Sequence, residues 1–357
     1  MRSLGKFLTI VFFVSVLSVD VFAMIVNVEA AEAELPLHQK RFSDRVLIVW
    51  MGDQMQTIAT VALATEKGIV VIETSLIRSH DARIRQTIEK EFGRSDFKYI
   101  VNTHYHHDHV CGNQVYADAT IIGHKNIPAG MKEELTGEGL VKLVDKFKGM
   151  RKDREKALAD SEPGTKEYTF SSEFLSCLEL AIEELQEGFV PTYPSIVFEK
   201  NMTLDMGDMT VELYSIGGMH TDSDIVIFIP EEGFVAIGDV APDQMLPYIR
   251  KDLQSDFSVT LENWGRIVNS PSEIKYVNMA HSDMFLGVET FKEQYRYLRT
   301  LWDGLVEMKR QGLTIEDAKK AYTIEEDFPY FKDRIVQTRR GNIHHNNIEA
   351  IWERIAN

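Results

Sequence analysis

The sequence predicts an α/β protein in which two β-sheets lie face to face between outer helices, carrying a helical insertion and extra C-terminal helices. Three observations predict it. Runs rich in Val, Ile and Thr fall in two clusters, separated by a charged, helix-forming stretch. A helix-patterned segment sits within the first cluster, and further ones follow the second. Each sheet must bury an apolar face, and a layered sandwich with outer helices satisfies that order.

In chain order, Val46–Trp50, Thr57–Ala64 and Ile69–Thr74 read as strands, the last two joined by a turn at Glu66-Lys67-Gly68. Ordered structure is expected to begin near Arg45. Ser79 is placed to cap a helix with Ile84, Ile88 and Phe92 on one stripe. Phe97–Asn102 reads as a strand leading into His104, and Ala119–Gly123 as another. From 126 to 190 the pattern turns helical, broken at Glu162-Pro163-Gly164, with Phe174, Leu178, Ala181 and Leu185 at helical spacing. This segment reads as an insertion. The β pattern returns at Ile196–Phe198, Met202–Leu204, Met209–Ser215, Ile225–Ile229 and Phe234–Ile237. Glu289–Met308 reads as a helix, Thr314 caps another with Glu316 and Asp317 in its first turn, and Asn346–Ile355 ends the chain in helix. The division expected is a main domain over 45–290 and a helical extension over 291–357.

The 357 residues suffice for one large core or two smaller ones. A net charge of −16 argues against nucleic acid as a partner, because phosphate backbones are gripped by basic surfaces. Cys111 and Cys177 are too few for a disulfide framework and allow one bridge at most. Arg2 and Lys6 precede an uncharged run from Phe7 to Val19, and Asp20 ends it. Small-residue cleavage candidates follow at Val21-Phe22-Ala23, Val28-Glu29-Ala30 and Ala31-Glu32-Ala33. That order predicts a secretory signal peptide and spacer over 1–33. The run is shorter than the roughly 20 apolar residues of a spanning helix. The mature protein is therefore expected in a periplasm or secreted, without a stable membrane span.

The segment His104-Tyr105-His106-His107-Asp108-His109 packs four imidazoles and a carboxylate into six residues. Imidazole suits zinc, copper, iron and nickel, and carboxylate adds oxygen ligands. A loop at a strand end can aim alternate side chains at one point, which a helix cannot do for His104 and His106.

The pattern His104-x-His106-x-Asp108-His109 resembles the signature of the metallo-β-lactamase superfamily. Gly217-Gly218-Met219-His220-Thr221 is similar to that family's third-histidine loop, Gly238-Asp239 to its bridging aspartate, and Ala280-His281-Ser282 to its last histidine. The resemblance covers roughly residues 45 to 290. It implies an αββα sandwich with two metal ions, zinc or else manganese or iron, in a groove at one edge of the sheets. By position His104, His106 and His220 are implied for one ion, Asp108, His109 and His281 for the other, and Asp239 between them. Histidine at His106, where the flavodiiron branch has glutamate, favours a zinc hydrolase. Glu73-Thr74-Ser75 departs from the family's frequent Asp-Thr-Gly, and Ala-His-Ser from its Gly-His-Gly.

The function implied is an exported binuclear hydrolase in which a hydroxide shared by two metals attacks an ester, thioester, lactone or similar small substrate. The leaving group is implied to be protonated by water or through Asp108. Asp239 is retained by glyoxalase II-like thioesterases, lactonases and phosphodiesterases, and absent from many β-lactamases of the family. Chain order and export resemble periplasmic members associated with quinoproteins and sulfur oxidation. The alternatives are a β-lactamase of the B3-like subclass and a non-catalytic metal carrier or sensor. The insertion is expected to flank the groove as a lid or to form a homodimer contact. His107 is read as lying beside the ligands, Tyr105 as core, and Cys111 as a small buried residue. His344 and His345 are read as tail residues, and Met202, Met206 and Met209 as strand packing.

Overall fold

In the computed structural model, which describes residues 35–53, 57–241, 245–253, 255–281, 285–338 and 341–355, the first β cluster forms a seven-stranded sheet in chain order. Its antiparallel part comprises β1 (Leu37–Arg41), β2 (Val46–Met51), β3 (Thr60–Thr65) and β4 (Gly68–Ile72). β5 (Phe97–Val101), β6 (Thr120–His124) and β7 (Ile196–Phe198) add in parallel. The second sheet holds β8 (Asn201–Asp205), β9 (Thr210–Ser215), β10 (Ile225–Ile229), β11 (Phe234–Ala236), β12 (Tyr276–Asn278) and β13 (Phe285–Leu286). A short ribbon pairs β14 (Gln337–Thr338) with β15 (Gly341–Asn342). The predicted signal peptide lies outside the described residues.

Parallel neighbours need long crossovers, and these carry the helices. α1 (Arg78–Phe92) links β4 to β5, and α2 (His107–Val110), followed by a 3-10 turn, links β5 to β6. α3 (Ile127–Leu135), α4 (Gly137–Ala159) and α5 (Lys166–Gln186) fill the passage from β6 to β7. α6 (Phe257–Val268) joins β11 to β12. The chain then ends in α7 (Val288–Arg310), α8 (Ile315–Ala321), α9 (Ile324–Asp327) and α10 (Ile343–Arg354). No helix among the described residues is long and apolar enough to cross a membrane.

Side-chain alternation along β10 divides the interior. Ile225, Ile227 and Ile229 enter a core shared with Val61, Val71 and Ile100 of the first sheet. Val226 and Phe228 enter a second core with Leu261 and Trp264 of α6 and Leu298 and Leu301 of α7. Successive residues of a strand face opposite sides, so a strand buried on both faces must be apolar throughout. The same split recurs on β11, where Phe234 and Ala236 face the first core and Val235 the second.

Three expectations are corrected. Regular structure is already present before Arg45, because β1 adds to β2 from Leu37 opposite Met51 to Arg41 opposite Leu47. α1 is not capped by Ser79. Its N-cap is Ile77, without a side-chain cap, and the free N–H groups are met from α5. Arg78 N donates to Glu184 Oε2 at 2.7 Å, and Ser79 N to Glu184 Oε1 at 3.2 Å. A carboxylate is favoured at a helix N-terminus, where the dipole is positive, and here it arrives from 105 residues away. His344 is not a tail residue. It is buried, donating from Nε2 to the Tyr322 carbonyl at 3.0 Å and accepting at Nδ1 from the Tyr297 hydroxyl at 2.9 Å. His345 alone is exposed.

His80, buried in α1, gives a pH test. Burial pulls its pKa down to about 4, against a smaller upward pull from Glu184. A histidine depressed in the folded state stabilises it above the unfolded pKa of about 6.5, and that contribution is lost as pH falls toward the folded value. Wild-type protein should lose about 3 kcal/mol between pH 7 and pH 4 that a His80→Phe variant does not lose. Urea unfolding of both proteins at the two pH values measures it, and parallel profiles would refute it.

Candidate metal centre

The site is assembled where strands of both sheets end. β5 runs out at Val101, and the next residues turn into the histidine loop. Asn102 Nδ2 donates to the His109 carbonyl at 3.0 Å and to Asn113 Oδ1 at 2.9 Å, while Asn113 Nδ2 returns a bond to Asn102 Oδ1 at 2.9 Å. Thr74 Oγ1 donates to the same His109 carbonyl at 3.1 Å. This clamp sets His104 and His106 on an extended loop and Asp108 and His109 on the single turn of α2. The sheets are tied at this edge by Ile225 N to the Thr103 carbonyl and Ala59 N to the Ala280 carbonyl, both at 2.8 Å.

His220 lies on the loop between β9 and β10. Asp224 holds that loop by accepting from His220 N at 2.7 Å and Thr221 N at 2.8 Å. Asp239 follows β11, and His281 follows β12. Before Asp239, Gly238 has φ 53°, and a Cβ there would lie 2.5 Å from Thr103 Oγ1. Only glycine permits that close approach of the two loops.

All seven side chains named from the sequence come together. His106 Nδ1 lies 3.1 Å from His104 Nε2 and 2.8 Å from His220 Nε2. Asp108 Oδ2 lies 3.2 Å from His281 Nε2 and 3.7 Å from His109 Nε2. Asp239 Oδ2 stands between the two sets, 3.3 Å from His281 Nε2, 3.4 Å from His220 Nε2, 3.6 Å from His109 Nε2 and 4.0 Å from His104 Nε2. Two groups, His104-His106-His220 and Asp108-His109-His281, each bring one donor atom per residue within 4.8 Å of one another and could hold a metal ion.

Glu73 forms a third such group with His104 and His109. Its carboxylate faces the other side of the ring, with Oε2 3.2 Å from His109 Nδ1, whereas Asp108 and Asp239 face Nε2. That is the outer position from which a carboxylate orients a metal-binding imidazole. Glu73 also accepts a short hydrogen bond from Thr103 Oγ1, and Thr103 Oγ1 lies 3.0 Å from His104 Nδ1. With φ 72°, Glu73 is the only non-glycine residue of positive φ among those described.

The donor set fits a cation. His109 Nε2 and Asp239 Oδ1 are buried polar atoms without a hydrogen-bond partner in the protein, and such atoms call for an ion or water. The electrostatics agree. Burial disfavours ionisation of Asp108 and Asp239, yet His109 and His281 outweigh it and hold both well below the usual carboxylate range. Burial likewise disfavours charge on His109, but Glu73, Asp239 and Asp108 push its pKa far up. His104 is driven the other way, by burial first and by His109 next. The pocket calls for positive charge among ionised carboxylates, and a metal supplies it when it displaces the imidazole protons.

His107 turns aside, its Nδ1 2.7 Å from Glu134 Oε1 and its ring edge-on to Phe147 at 5.3 Å. Tyr105 packs on α3, where a Cβ on Gly130 would meet its ring at 2.3 Å. Cys111 is buried and free, as is Cys177, so the two form no bridge. Sequence reading did not find Asn102, Asn113 or Asp224 as supports. Asp224 alone left a trace, in the polar run Thr221-Asp222-Ser223-Asp224 after His220.

A family model described as the metallo-beta-lactamase superfamily matches residues 57–276. The chain belongs to that superfamily. Among solved structures, the stereoselective inverting sec-alkylsulfatase Pisa1 from Pseudomonas sp. aligns with a TM-score of 0.55 at 13% identity, over 88% of this chain and 50% of the sulfatase. This metallo-β-lactamase superfamily chain thus spans half the length of that relative. The metallo-β-lactamase FIM-1 from Pseudomonas aeruginosa aligns at 12% identity with a TM-score of 0.46, over 73% of this chain and 94% of its own. One from Pontibacter korlensis gives 15% and 0.44, over 72% and 96%. No curated protein matches. At such identities the likeness concerns the fold, an α/β sandwich of two sheets and outer helices.

Proposed function

We propose that this superfamily hydrolase is an exported enzyme that holds two divalent cations, zinc foremost, and cleaves an ester, thioester, lactone or similar small substrate. His104, His106 and His220 would hold one cation and Asp108, His109 and His281 the other, with Asp239 shared. The observation that carries the reading is the place of Asp239 Oδ2, within 4.0 Å of Nε2 atoms from both triads. Bound cations of this kind supply Lewis acidity toward a substrate oxygen and lower the pKa of water toward neutrality.

The chain's own residues complete the site. Glu73 stands 3.2 Å from His109 Nδ1, Thr103 pairs with His104 Nδ1, and the Asn102–Asn113 clamp fixes the loop that carries both rings. Asp108 engages His281 and His109 through Oδ2, leaving Oδ1 toward His107 Nε2 at 3.9 Å. A proton would reach the leaving atom from water or by way of Asp108. No serine or cysteine nucleophile is needed.

Elemental analysis paired with a panel of ester, thioester, lactone, phosphodiester, sulfate ester and nitrocefin tests the proposal. Two metal equivalents and one preferred acyl bond support it. Rapid nitrocefin turnover favours a β-lactamase, and tight metal binding without any turnover favours a carrier or sensor. N-terminal sequencing of protein from a periplasmic extract tests export.

A further inference from the structure

We infer that the substrate carries an apolar acyl group, aryl or medium-chain alkyl, seated in a cleft between the inserted helices and the metal centre; this rests on the hydrolase reading above. The cleft has a volume of about 330 Å³ and is walled by Ile58, Ile77, Phe147, Met150, Phe174 and Leu178. Asp108 and His281 close one end, so whatever fills the cleft abuts the second triad. The volume falls at the lower end of the roughly 300–1,000 Å³ typical of small-molecule sites.

Its walls are largely apolar and backed. Ile58, Ile77, Phe147 and Leu178 are all but buried, at 2–3% exposure. Phe170 and Phe174 of α5 stack at 5.7 Å between centroids, and Arg154 of α4 covers them at 4.8 and 5.3 Å. A polar acyl group placed there would lose its hydration without hydrogen-bond partners along the apolar wall, which is costly. An alkyl or aryl group gains by every atom removed from water. The polar side chains lining the cleft are Thr57, His107, Asp108, Lys146 and His281; Asp108 and His281 belong to the second triad, and the scissile bond belongs beside them.

The test uses the zinc-loaded protein with methyl esters from acetate to octanoate, followed by acid release, and calorimetric binding of the free carboxylates from butyrate to octanoate. The expected result is a rise in kcat/KM, and in carboxylate affinity, of roughly fourfold per added methylene until the cleft is full. Met150→Trp and Leu178→Trp, which fill the cleft from different helices, should each lower the octanoate-to-acetate preference by roughly tenfold or more. Circular dichroism identifies a variant that fails to fold, and the other then decides. Turnover that is flat along the series overturns the apolar cleft and leaves the hydrolase reading standing. Chain-length-dependent binding that the Trp variants abolish, without turnover of any ester, keeps the cleft as the ligand site and removes the hydrolase reading. Flat binding without turnover removes both.

Discussion

Asp239→Ala should reduce bound metal from two equivalents to one or none and lower kcat/KM on the order of 10³-fold or more, since even an outer partner of a metal ligand costs 10–100-fold. The reason lies in its geometry. One oxygen, Oδ2, faces Nε2 of His104, His109, His220 and His281 at once. Removing it leaves both triads without their common anion and four imidazoles facing one another. A ligand that binds only the folded state stabilises it by mass action, so the melting temperature of wild type should fall on chelation. That of the variant should respond much less. Metal content, kinetics and melting with and without chelator check each part. A variant that keeps two equivalents and wild-type turnover would refute the shared-anion reading of Asp239.

Glu73→Ala should lower kcat/KM by roughly 10–100-fold, the usual cost of losing the carboxylate that orients a metal-binding imidazole. Glu73 is not itself placed to touch substrate; it acts through His109 Nδ1, 3.2 Å away, and through Thr103. Metal affinity should weaken in the same variant. The backbone makes a second, separable prediction. At φ 72° any side chain costs about 1 kcal/mol or somewhat more. Glu73→Gly should therefore be more stable than Glu73→Ala by about 1 kcal/mol while losing activity to the same degree. Urea unfolding and zinc titration of the two variants test this, and equal stabilities would show that the backbone is unstrained there.

How much of this was legible depended on how local each cause was. The apolar run Ile225–Ile229 announced a strand; that its two faces enter different cores is what the structure added. The crowded segment His104–His109 announced a metal site, because its residues sit within one loop and one helical turn. β1 was not legible. Leu37-His38-Gln39-Lys40-Arg41 is an exposed edge strand that owes its form to pairing with β2. The start of α1 was missed for the same reason, its cap coming from Glu184. His344 was misread as a tail residue because the Tyr297 hydroxyl and Tyr322 carbonyl that satisfy it are 47 and 22 residues distant. Glu73 stood out as a departure from a familiar motif, at a position whose usual role is structural or behind the ligands. Its positive φ and its approach to His109 arise from where β4 stops relative to α2.

The Glu184 contact has a consequence for any attempt to exchange the inserted helices. Arg78 also reaches back from α1 to the Gly188 carbonyl at 2.9 Å and the Glu187 carbonyl at 2.7 Å, so the two segments are buttoned together at both charges. A graft that shortened or replaced α5 would unfasten the first turn of α1, which begins five residues after Glu73. Swapping specificity by transplanting this segment would therefore disturb catalysis unless the donor helix brought its own carboxylate to the same spot.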